Sequence, residues 1–516
     1  MPVNPFTYGN PISDPARFFG REREIEQVYS RLCNAEFESS SLVGERRVGK
    51  TSLLNYLAHP DVRRKHGLDP AKYVFVYVDL QMVDKATTPA RLWQHLLRQM
   101  TRHCQDAPVK QIVDELRQEE AMDNFALADV FDRVDEIDQY LVLLLDEFEN
   151  VTENPNFGPD FFYGLRSLAI HHHLSLITSS RRELIELCHS EAIRSSPFFN
   201  IFANINVGPL GEAEARQLIT QSLQGTGTSF SEDETAAVFS IAGCHPYFVQ
   251  AACHFLFEAY SKSLALDERV KYLLKGFREQ ATPHLEDYWH NSDDHEKLVM
   301  TVLALLEWQS KPGRRAFSAG QLQNYYARSD QALSHLEKRS LVVPLPDGYA
   351  LFSSTLGEWV RGEITGSEAS EASEKPPSIS EGEVPHTQRV KLRQSLVDSF
   401  GDQELRTLCF DLQVDYENLP AEGKAGKVRE LVAQLERTGR VPELVEMCCK
   451  LRPNIAWANA QAPKAFTTPG SQPERLLAEI LPRMNPRYHE LMTGWVSDSK
   501  NPAAVAGLLS GALGLG

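Results

Sequence analysis

A phosphate-loop pattern near the N-terminus constrains the fold of this chain more than any other feature. Residues 44–51 read GERRVGKT and fit the pattern G-x-x-x-x-G-K-[ST]. The two glycines let the backbone curl so that successive N–H groups face inward and form a nest for anions. A helix that begins near Lys50 adds the positive end of its dipole. The pattern therefore predicts a phosphate site, in which Lys50 reaches the β- and γ-phosphates of a nucleotide and the Thr51 hydroxyl binds Mg²⁺.

An acidic strand end supports this site against the alternative of a chance match in a glycine-containing turn. The apolar run 141–145 is typical of a strand buried on both faces, and it leads directly into Asp146 and Glu147. Asp146 would hold Mg²⁺ through water beside Thr51, and Glu147 would polarise the attacking water. Glu147 and Lys50 are thus the predicted catalytic residues. The alternative is a plain core strand followed by a solvated acidic turn.

Alternating strand and helix patterns predict an α/β domain over residues 37–207. Apolar runs that are typical of buried strands occur at 40–43, 73–80, 141–145 and 174–178. Helical periodicity separates them at 51–57, 89–101 and 161–171. Such alternation predicts a parallel sheet covered by helices, with the phosphate loop at one strand end.

The remainder of the chain predicts helical regions and a linker. Residues 208–282 read as a helical lid, and residues 283–364 as helices followed by a short hairpin, which describes a winged helix. Residues 365–386 are rich in Ser and Glu with almost no large apolar groups, which predicts a flexible linker. Residues 387–456 form a separate all-α module, and residues 457–516 a short helix and a Gly-rich tail.

The end of the tail has several interpretations. From Pro502 onward it carries no charge, and it contains the pattern Gly507-x-x-x-Gly511, which is typical of helix contacts. We expect a disordered, Gly-rich end. Contact with a membrane or with a partner protein is the alternative.

Charge and cysteine usage exclude several classes of function. The chain carries 53 Lys and Arg against 70 Asp and Glu, a net charge of −17. This excess argues against a protein that coats nucleic acid or an anionic membrane. Eight cysteines without a CxxC pair, and the lack of a signal peptide, predict reduced thiols and a cytoplasmic protein. Since no run of about 18 apolar residues is present, no ordinary membrane span is expected.

Arginines around the phosphate site each have two interpretations. Arg181 follows the apolar run 174–178, where it is expected to contact the γ-phosphate. Alternatively, Arg181 or Arg182 is a surface group before a helix. Arg46 and Arg47, inside the phosphate loop, either face the nucleotide or are solvated.

The predicted winged helix is acidic. Residues 283–364 contain 8 Lys and Arg against 11 Asp and Glu. Winged helices that grip DNA carry a basic face, so this region is interpreted as an intramolecular clamp or packing module. Its basic pairs, Arg314-Arg315 and Lys338-Arg339, are expected to belong to a solvated face.

Residues 1–362 resemble the signal-transducing nucleotide-binding ATPases, the STAND branch of the AAA+ class. The resemblance rests on the segment Phe19-Gly20-Arg21-Glu22 together with the phosphate loop, 145–147, 180–181 and 243–247. It implies that the N-terminal segment 1–36 lines the adenine pocket and that Pro246 closes on the nucleotide from the lid. Pro246 could instead be a helix N1 proline without a ligand.

The resulting nucleotide site combines the loop pattern and the resemblance. The cofactors are ATP or ADP with Mg²⁺, and the metal ligands are Thr51 and Asp146. The residues expected to bind nucleotide are Phe19, Gly20, Arg21, Gly44, Arg47, Val48, Gly49, Lys50, Thr51, Ser52, Arg181 and Pro246.

The module at 387–456 resembles the effector-associated domains of bacterial conflict and signalling proteins, which are helical and death-fold-like. The segments that carry this resemblance are 405–410, 414–420 and 423–427. Similar domains pair with a like copy on an effector such as a protease, a TIR enzyme or a pore former. A generic helical bundle without a partner is the alternative.

Both resemblances imply an ATP-dependent signalling switch. It would oligomerise and recruit an effector with a matching helical domain, in bacterial antiphage defence. Hydrolysis is a separate prediction, because some switches turn over so slowly that binding is their function. Nucleic acid is not an expected partner. The alternatives are a DNA-binding AAA+ initiator or regulator related to archaeal origin-recognition ATPases, and a constitutive ATPase motor or chaperone.

Overall fold

The structure is a computed structural model, and its described residues divide into two compact units. It describes residues 3–104, 106–116, 122–194, 197–310, 316–366, 480–499 and 501–513, with separate residues between 396 and 452. The first unit lies within 1–366 and 483–515, and the second within 367–482.

The first unit begins with the predicted α/β domain. Its strands are β1 Ser39–Val43, β2 Tyr73–Asp79, β3 Tyr140–Asp146, β4 Leu174–Ser180 and β5 Phe202–Asn206. Its helices are α1 Glu22–Leu32, α2 Lys50–Ala58, α3 Pro60–Lys65, α4 Pro89–His103, α5 Ala107–Leu116, α6 Asn124–Glu136, α7 Glu149–Thr152, α8 Pro159–His171 and α9 Glu191–Arg194.

These strands form one sheet in the order β2-β3-β4-β1-β5, with every neighbouring pair parallel. The predicted parallel sheet is therefore confirmed. Consecutive residues of β3 enter different apolar cores, since Val142 and Leu144 pack in one cluster and Leu143 and Leu145 in the other. Burial on both faces explains why this strand reads as a continuous apolar run.

Strand β5 was not predicted from the sequence. It pairs only with β1 among the described strands, so it is an edge of the sheet. Only Ile205 is fully buried within it. The segment FANIN consequently lacks the apolar run that identifies the other strands.

Helices and a hairpin complete the first unit. The helices are α10 Glu212–Leu223, α11 Glu232–Ala242, α12 Pro246–Ser261, α13 Leu266–His290, α14 Asp294–Gln309, α15 Ala319–Tyr325, α16 Ser329–Lys338 and α17 Ser354–Thr365. Strands β6 Val342–Leu345 and β7 Gly348–Leu351 form an antiparallel hairpin. Helix α13 is continuous across position 282, the predicted border between lid and winged helix. The division at this position, and the winged-helix assignment, stay predictions.

A return of the chain to the first unit corrects the expectation of a disordered end. After 483 the chain forms helices α20 His489–Asp498 and α21 Pro502–Ala512. Val505, Leu508 and Leu509 of α21 are buried. Gly511 permits close packing, because a Cβ there would lie 2.2 Å from the Gln309 amide of α14. Gly511 thus serves a helix contact, whereas the space beside Gly507 is open. Among the described helices, none has the length and apolar character needed to cross a membrane.

The second unit contains helices α18 Asp402–Asp411 and α19 Lys424–Arg437. Its own apolar core includes Leu405 and Leu408 from α18, and Leu431 and Leu435 from α19. The predicted all-α module therefore has a core of its own. The flexible linker predicted at 365–386 lies, apart from its first two residues, outside the described residues. The short helix predicted near 474–481 is described only from 480.

Candidate phosphate and metal site

Asp146 joins the phosphate loop to the acidic strand end. The Thr51 hydroxyl donates to Asp146 Oδ2 at 2.7 Å, and the Tyr77 hydroxyl donates to the same oxygen at 2.9 Å. Ser179 of β4 donates to the other oxygen. Asp146 is 2% exposed. Neighbouring parallel strands bring these groups together, because β2, β3 and β4 end at the same edge of the sheet.

The fold of the phosphate loop requires glycine at two positions. Gly49 has a φ of 103°, which favours glycine. At Gly44 a Cβ would lie 2.2 Å from the Val207 carbonyl oxygen, so a side chain cannot fit. Lys50 Nζ donates to the carbonyls of Gly44 at 2.7 Å and Glu45 at 3.2 Å. The buried ammonium group is therefore held at the loop where phosphates would bind.

Glu147 lies beside the loop, half-buried and next to other acidic residues. Its backbone N–H donates to Ser179 Oγ at 3.1 Å, and its φ is 55°. Burial raises the pKa of Glu147, and the nearby Glu149 raises it further, whereas Lys50 opposes these effects. A carboxylate with a raised pKa is a better proton acceptor than an exposed one.

Arg181 is bound to an acidic partner at the end of β4. Its Nε donates to Glu149 Oε1 at 3.2 Å. Glu149 is 2% exposed, and its other oxygen has no hydrogen-bond partner within the described residues. Arg181 also donates to the Asn291 side chain, just after α13, at 3.4 Å. The arginine thus links the sheet edge to the end of α13.

These residues surround a cavity of about 900 Å³. Of the residues predicted from the sequence, Gly20 and Gly44 do not line it. Those that do are Phe19, Arg21, Arg47, Val48, Gly49, Lys50, Thr51, Ser52, Asp146, Glu147, Arg181 and Pro246. A cavity of this size is in the range of small-molecule and cofactor sites.

Two lining residues also have structural contacts. Arg21 is 4% exposed, and its guanidinium donates to the carbonyls of Val48 at 2.9 Å and Gly208. Its backbone N–H donates to Glu214 at 2.8 Å. Pro246 begins α12, as the alternative interpretation requires, and it lines the cavity as well. A position at N1 therefore does not keep Pro246 away from the cavity, and its contact with a nucleotide stays a prediction.

The N-terminal segment closes one side of the cavity. Ile12 N donates to the Ser52 hydroxyl at 3.0 Å, and Arg47 donates to the Gly9 carbonyl at 3.0 Å. Tyr8 packs edge-on against Tyr247 of α12. Within the predicted adenine-lining segment 1–36, only Phe19, Gly20 and Arg21 are individually predicted to bind nucleotide. The polar, turn-rich residues before them carry no motif that would have singled them out.

Arg339 lies in a different environment from the one predicted. It was expected on a solvated face, but it is 6% exposed and donates to Glu45 of the phosphate loop at 2.5 Å. Its neighbour Lys338 is exposed and lies 3.3 Å from Glu183. The pair Arg314-Arg315 lies outside the described residues. A sequence pattern cannot separate the two members of a basic pair, because burial of Arg339 depends on partners that are distant along the chain.

The donor set suits Mg²⁺ and a nucleotide phosphate. Mg²⁺ prefers oxygen ligands, and Asp146 and Thr51 present a carboxylate and a hydroxyl at one point. Lys50 has backbone carbonyls as its hydrogen-bond acceptors within the described residues, so its charge is available to an anion. Residues Thr51 and Asp146 would hold the metal, which would neutralise phosphate charge.

Family comparisons agree with this geometry. A family model described as Novel STAND NTPase 2 matches residues 33–303, which is more than half of the chain. A second family model, described as Effector-associated domain 7, matches residues 392–453. No curated protein sequence matches the chain.

The solved structures to which this chain is similar share little sequence identity with it. A Walker-type ATPase of Pyrococcus abyssi is 14% identical, with a TM-score of 0.44, and the match covers 68% of this chain and 99% of that one. The ORC2 protein of Aeropyrum pernix is 14% identical, with a TM-score of 0.44, and the match covers 70% of this chain and 98% of that one. The RuvB Holliday junction branch migration motor of Thermotoga maritima is 12% identical, with a TM-score of 0.33, and the match covers 66% of this chain and 96% of that one.

Proposed function

Because this chain belongs to the family described as Novel STAND NTPase 2 and also carries an effector-associated domain, we propose that it is an ATP-dependent signalling switch. ATP·Mg²⁺ binds in the 900 Å³ cavity, the protein then oligomerises, and the C-terminal helical domain recruits an effector in bacterial antiphage defence. The observation that carries the proposal is the 2.7 Å contact between Thr51 and Asp146, beside the buried Lys50.

The proposed binding mode assigns a role to each side chain. Lys50 and the backbone N–H groups of the phosphate loop bind the β- and γ-phosphates. Thr51 and Asp146 hold Mg²⁺. Pro246 and the N-terminal segment close on the base and ribose from opposite sides of the cavity. ATP and ADP differ in the γ-phosphate, so the residues that distinguish them lie near Glu147 and Arg181.

Slow hydrolysis is part of the proposal. Glu147 orients and deprotonates a water molecule, while Lys50 stabilises charge that develops on the phosphate oxygens. Arg181 would have to exchange its contact with Glu149 for one with the γ-phosphate. That exchange would also alter the bond from Arg181 to Asn291, which connects the sheet edge to α13.

Switching follows from differential affinity for two conformations. The Tyr288 hydroxyl of α13 donates to the Arg46 carbonyl of the phosphate loop at 3.0 Å. A nucleotide that changes the loop therefore changes a contact of α13. We infer that ATP favours an arrangement of the helices after the α/β domain that differs from the one favoured by ADP.

Effector recruitment would use the second unit. Phe410 is 81% exposed on α18, whereas Leu405, Leu408 and Cys409 of the same helix are buried. An exposed aromatic ring is a common anchor of protein interfaces. Oligomerisation would bring several copies of this weak contact together and raise the overall affinity for the effector.

The alternative of a DNA-binding initiator finds less support. Lys338 and Arg339 form one of the two basic pairs in residues 283–364, and both are engaged with acidic side chains. A binding face for duplex DNA needs basic groups that are available to phosphates.

Particle mass tests the switch. The parent protein is measured by analytical ultracentrifugation with ATP·Mg²⁺, with ADP·Mg²⁺ and without nucleotide. Lys50→Ala is measured in the same way, next to the control Lys72→Ala, whose half-buried lysine pairs with Asp138 and does not line the cavity. We expect the particle mass of the parent and of Lys72→Ala to increase with ATP·Mg²⁺ but not with ADP·Mg²⁺. The particle mass of Lys50→Ala should not increase under any of the three conditions. A mass that is independent of nucleotide contradicts the switch. Binding to labelled duplex DNA at physiological salt would favour the initiator instead.

A further inference from the structure

Arg339 is the centre of a buried charge network that includes the phosphate loop. It directly follows α16, and its side chain is 5% exposed. Its Nε donates to Glu45 Oε1 at 2.5 Å, and Nη1 donates to Glu296 Oε2 at 2.6 Å and to Ser292 Oγ at 2.8 Å. The side chains of Glu45 and Glu296 are 7% and 2% exposed.

The network spans three distant parts of the sequence. Glu45 is the first residue after the leading glycine of the phosphate loop and lies 294 positions before Arg339. Glu296 belongs to the first turn of α14, where it accepts the backbone N–H of Asp293 at 3.1 Å. Arg182 approaches Glu296 to 3.8 Å. One guanidinium therefore joins the loop, α14 and the end of α16.

Glu45 is closely connected with the residue that would meet the phosphates. Its backbone carbonyl accepts a hydrogen bond from Lys50 Nζ at 3.2 Å. The carboxylate of Glu45 is a negative charge inside a loop that would bind a polyanion. Without Arg339, that charge would repel phosphate in an environment from which water is largely excluded. Arg339 both neutralises the carboxylate and fixes its position.

Neighbouring contacts show that α16 docks closely on the nucleotide-binding side of the unit. Lys338 lies 3.3 Å from Glu183, just after β4. At Gly208, between β5 and α10, a Cβ would lie 2.6 Å from the Ser340 hydroxyl. Arg339 thus enters a closely packed contact. Its ion pair with Glu45 can form only while the end of α16 is docked.

We propose that Arg339 is a positioning residue for the phosphate loop, which makes tight nucleotide binding depend on the docking of α16. The inference rests on the proposed nucleotide binding and names a residue outside the family-matched segment 33–303. When α16 is docked, Glu45 is neutralised and the loop can accept phosphates. When α16 leaves, the unpaired carboxylate weakens nucleotide binding, and by reciprocity nucleotide favours docking.

Nucleotide affinity in a set of variants tests this inference. Arg339→Met removes the charge and retains much of the volume, Glu45→Gln removes the opposing charge, and a double variant combines both. Lys338→Met is the neighbouring control: it removes a solvent-exposed ion pair of α16, which contributes little, and leaves Glu45 neutralised by Arg339. Arg269→Met is the matched ion-pair control, because the half-buried Arg269 pairs with the buried Glu234 at 2.9 Å, away from the loop. Each variant is titrated with ATP·Mg²⁺ and ADP·Mg²⁺ and followed by thermal unfolding.

The expected pattern separates positioning from general stability. Arg339→Met should raise the Kd for both nucleotides by about tenfold or more. The double variant should recover most of this affinity because the repelling carboxylate is gone. Its Tm should stay below that of the parent, since Glu296 keeps only the more distant guanidinium of Arg182 at 3.8 Å. Arg269→Met should lower the Tm without changing the Kd. Arg339→Lys, which keeps the charge, should have an intermediate Kd. It replaces Arg339→Met in the comparison if Arg339→Met does not fold.

Several results would overturn the inference. One is an Arg339→Met protein that binds nucleotide as tightly as Lys338→Met. Another is a double variant that binds no better than Arg339→Met, because a purely structural role predicts that outcome. If the parent itself binds no nucleotide, the proposed function fails. Hydrogen exchange of residues 44–51 without nucleotide then decides the loop-positioning claim, which requires faster exchange in Arg339→Met than in Arg269→Met.

Discussion

The Thr51 hydroxyl donates a hydrogen bond to the Asp146 carboxylate at 2.7 Å, although the two residues lie 95 positions apart. The contact is formed at the shared edge of a parallel sheet, where the loop after β1 faces the end of β3. It leaves a hard carboxylate oxygen beside a hydroxyl, which is a suitable start for a Mg²⁺ shell.

Removing the charge of Asp146 should affect the metal-dependent part of ATP binding. Asp146→Asn retains the shape of the side chain and most of its hydrogen bonds. We expect Mg²⁺ to strengthen ATP binding in the parent and to do so about tenfold less in the variant, or ~1.4 kcal/mol. Titrations with Mg²⁺ and with EDTA measure this ratio. Asp138→Asn, at an exposed site, is the control, and an unchanged ratio in Asp146→Asn would argue against metal binding here.

Glu147 should be required for hydrolysis and not for binding. Glu147→Gln should lower single-turnover hydrolysis by about 10²-fold and leave the Kd for ATP nearly unchanged. In the parent, burial and Glu149 raise the pKa of Glu147 above its ordinary value of 4.5. The reactive form is the carboxylate, so turnover should fall as the pH falls through this raised pKa. Equal turnover in parent and variant would assign the water-activating role elsewhere.

His245 should make the first unit sensitive to acid. It is fully buried before α12, and burial, with the nearby Arg21, lowers its pKa to about 3. Above the ordinary pKa of 6.5, both the folded and the unfolded chain carry neutral His245, so the shift has no effect. Below that pH the unfolded chain takes up the proton first, and stability is lost down to about pH 3.

Denaturant unfolding measures this sensitivity to acid. Between pH 7 and pH 5, the free energy of unfolding should fall by about 2 kcal/mol through His245 alone. His245→Asn should remove most of this difference, whereas His171→Asn at the end of α8 should leave it. A pH dependence that is identical in the parent and in His245→Asn would refute this origin.

The second unit should be dispensable for nucleotide binding. The chain leaves the first unit at Gly366 and returns nearby, because Asn485 N donates to the Ile364 carbonyl at 3.0 Å. A protein in which a short Gly-Ser segment replaces residues 367–482 should therefore fold and bind ATP like the parent. Calorimetric titration and thermal unfolding measure both properties.

The matched control for that deletion ends the chain at Gly366. It also removes α20 and α21, which bury Met492, Trp495 and Leu508. This truncation should lower the Tm by several degrees, since large apolar surfaces of α14 become exposed. If both proteins are equally stable, the C-terminal helices contribute less than their burial indicates.

Much of the phosphate site could be predicted from local pattern. The residue types in 44–51, and the apolar run before Asp146, are dictated by the backbone geometry of an anion nest and by burial in the sheet. Tyr77 and Ser179 could not be predicted, because a hydroxyl within or at the end of an apolar strand has many uses. Their contacts with Asp146 depend on strand order, which no local pattern specifies.

Long-range packing explains the other differences. The apolar tail was interpreted as disordered because its glycines disfavour an isolated helix, but contact with α14 stabilises α21. Arg339 was interpreted as solvated because most arginines are, but two distant glutamates compensate its burial. In both cases the partner residues lie more than 40 positions away in the sequence, outside any local window.

The most direct test of the central claim is calorimetric titration of ATP·Mg²⁺ into the full-length parent, Lys50→Ala and the control Lys72→Ala. We expect binding of one ATP per chain in the parent and in Lys72→Ala. We expect a loss of measurable binding in Lys50→Ala, because the buried ammonium group is the principal charge facing the phosphates. Equal affinity in Lys50→Ala and the parent would contradict phosphate binding at this loop.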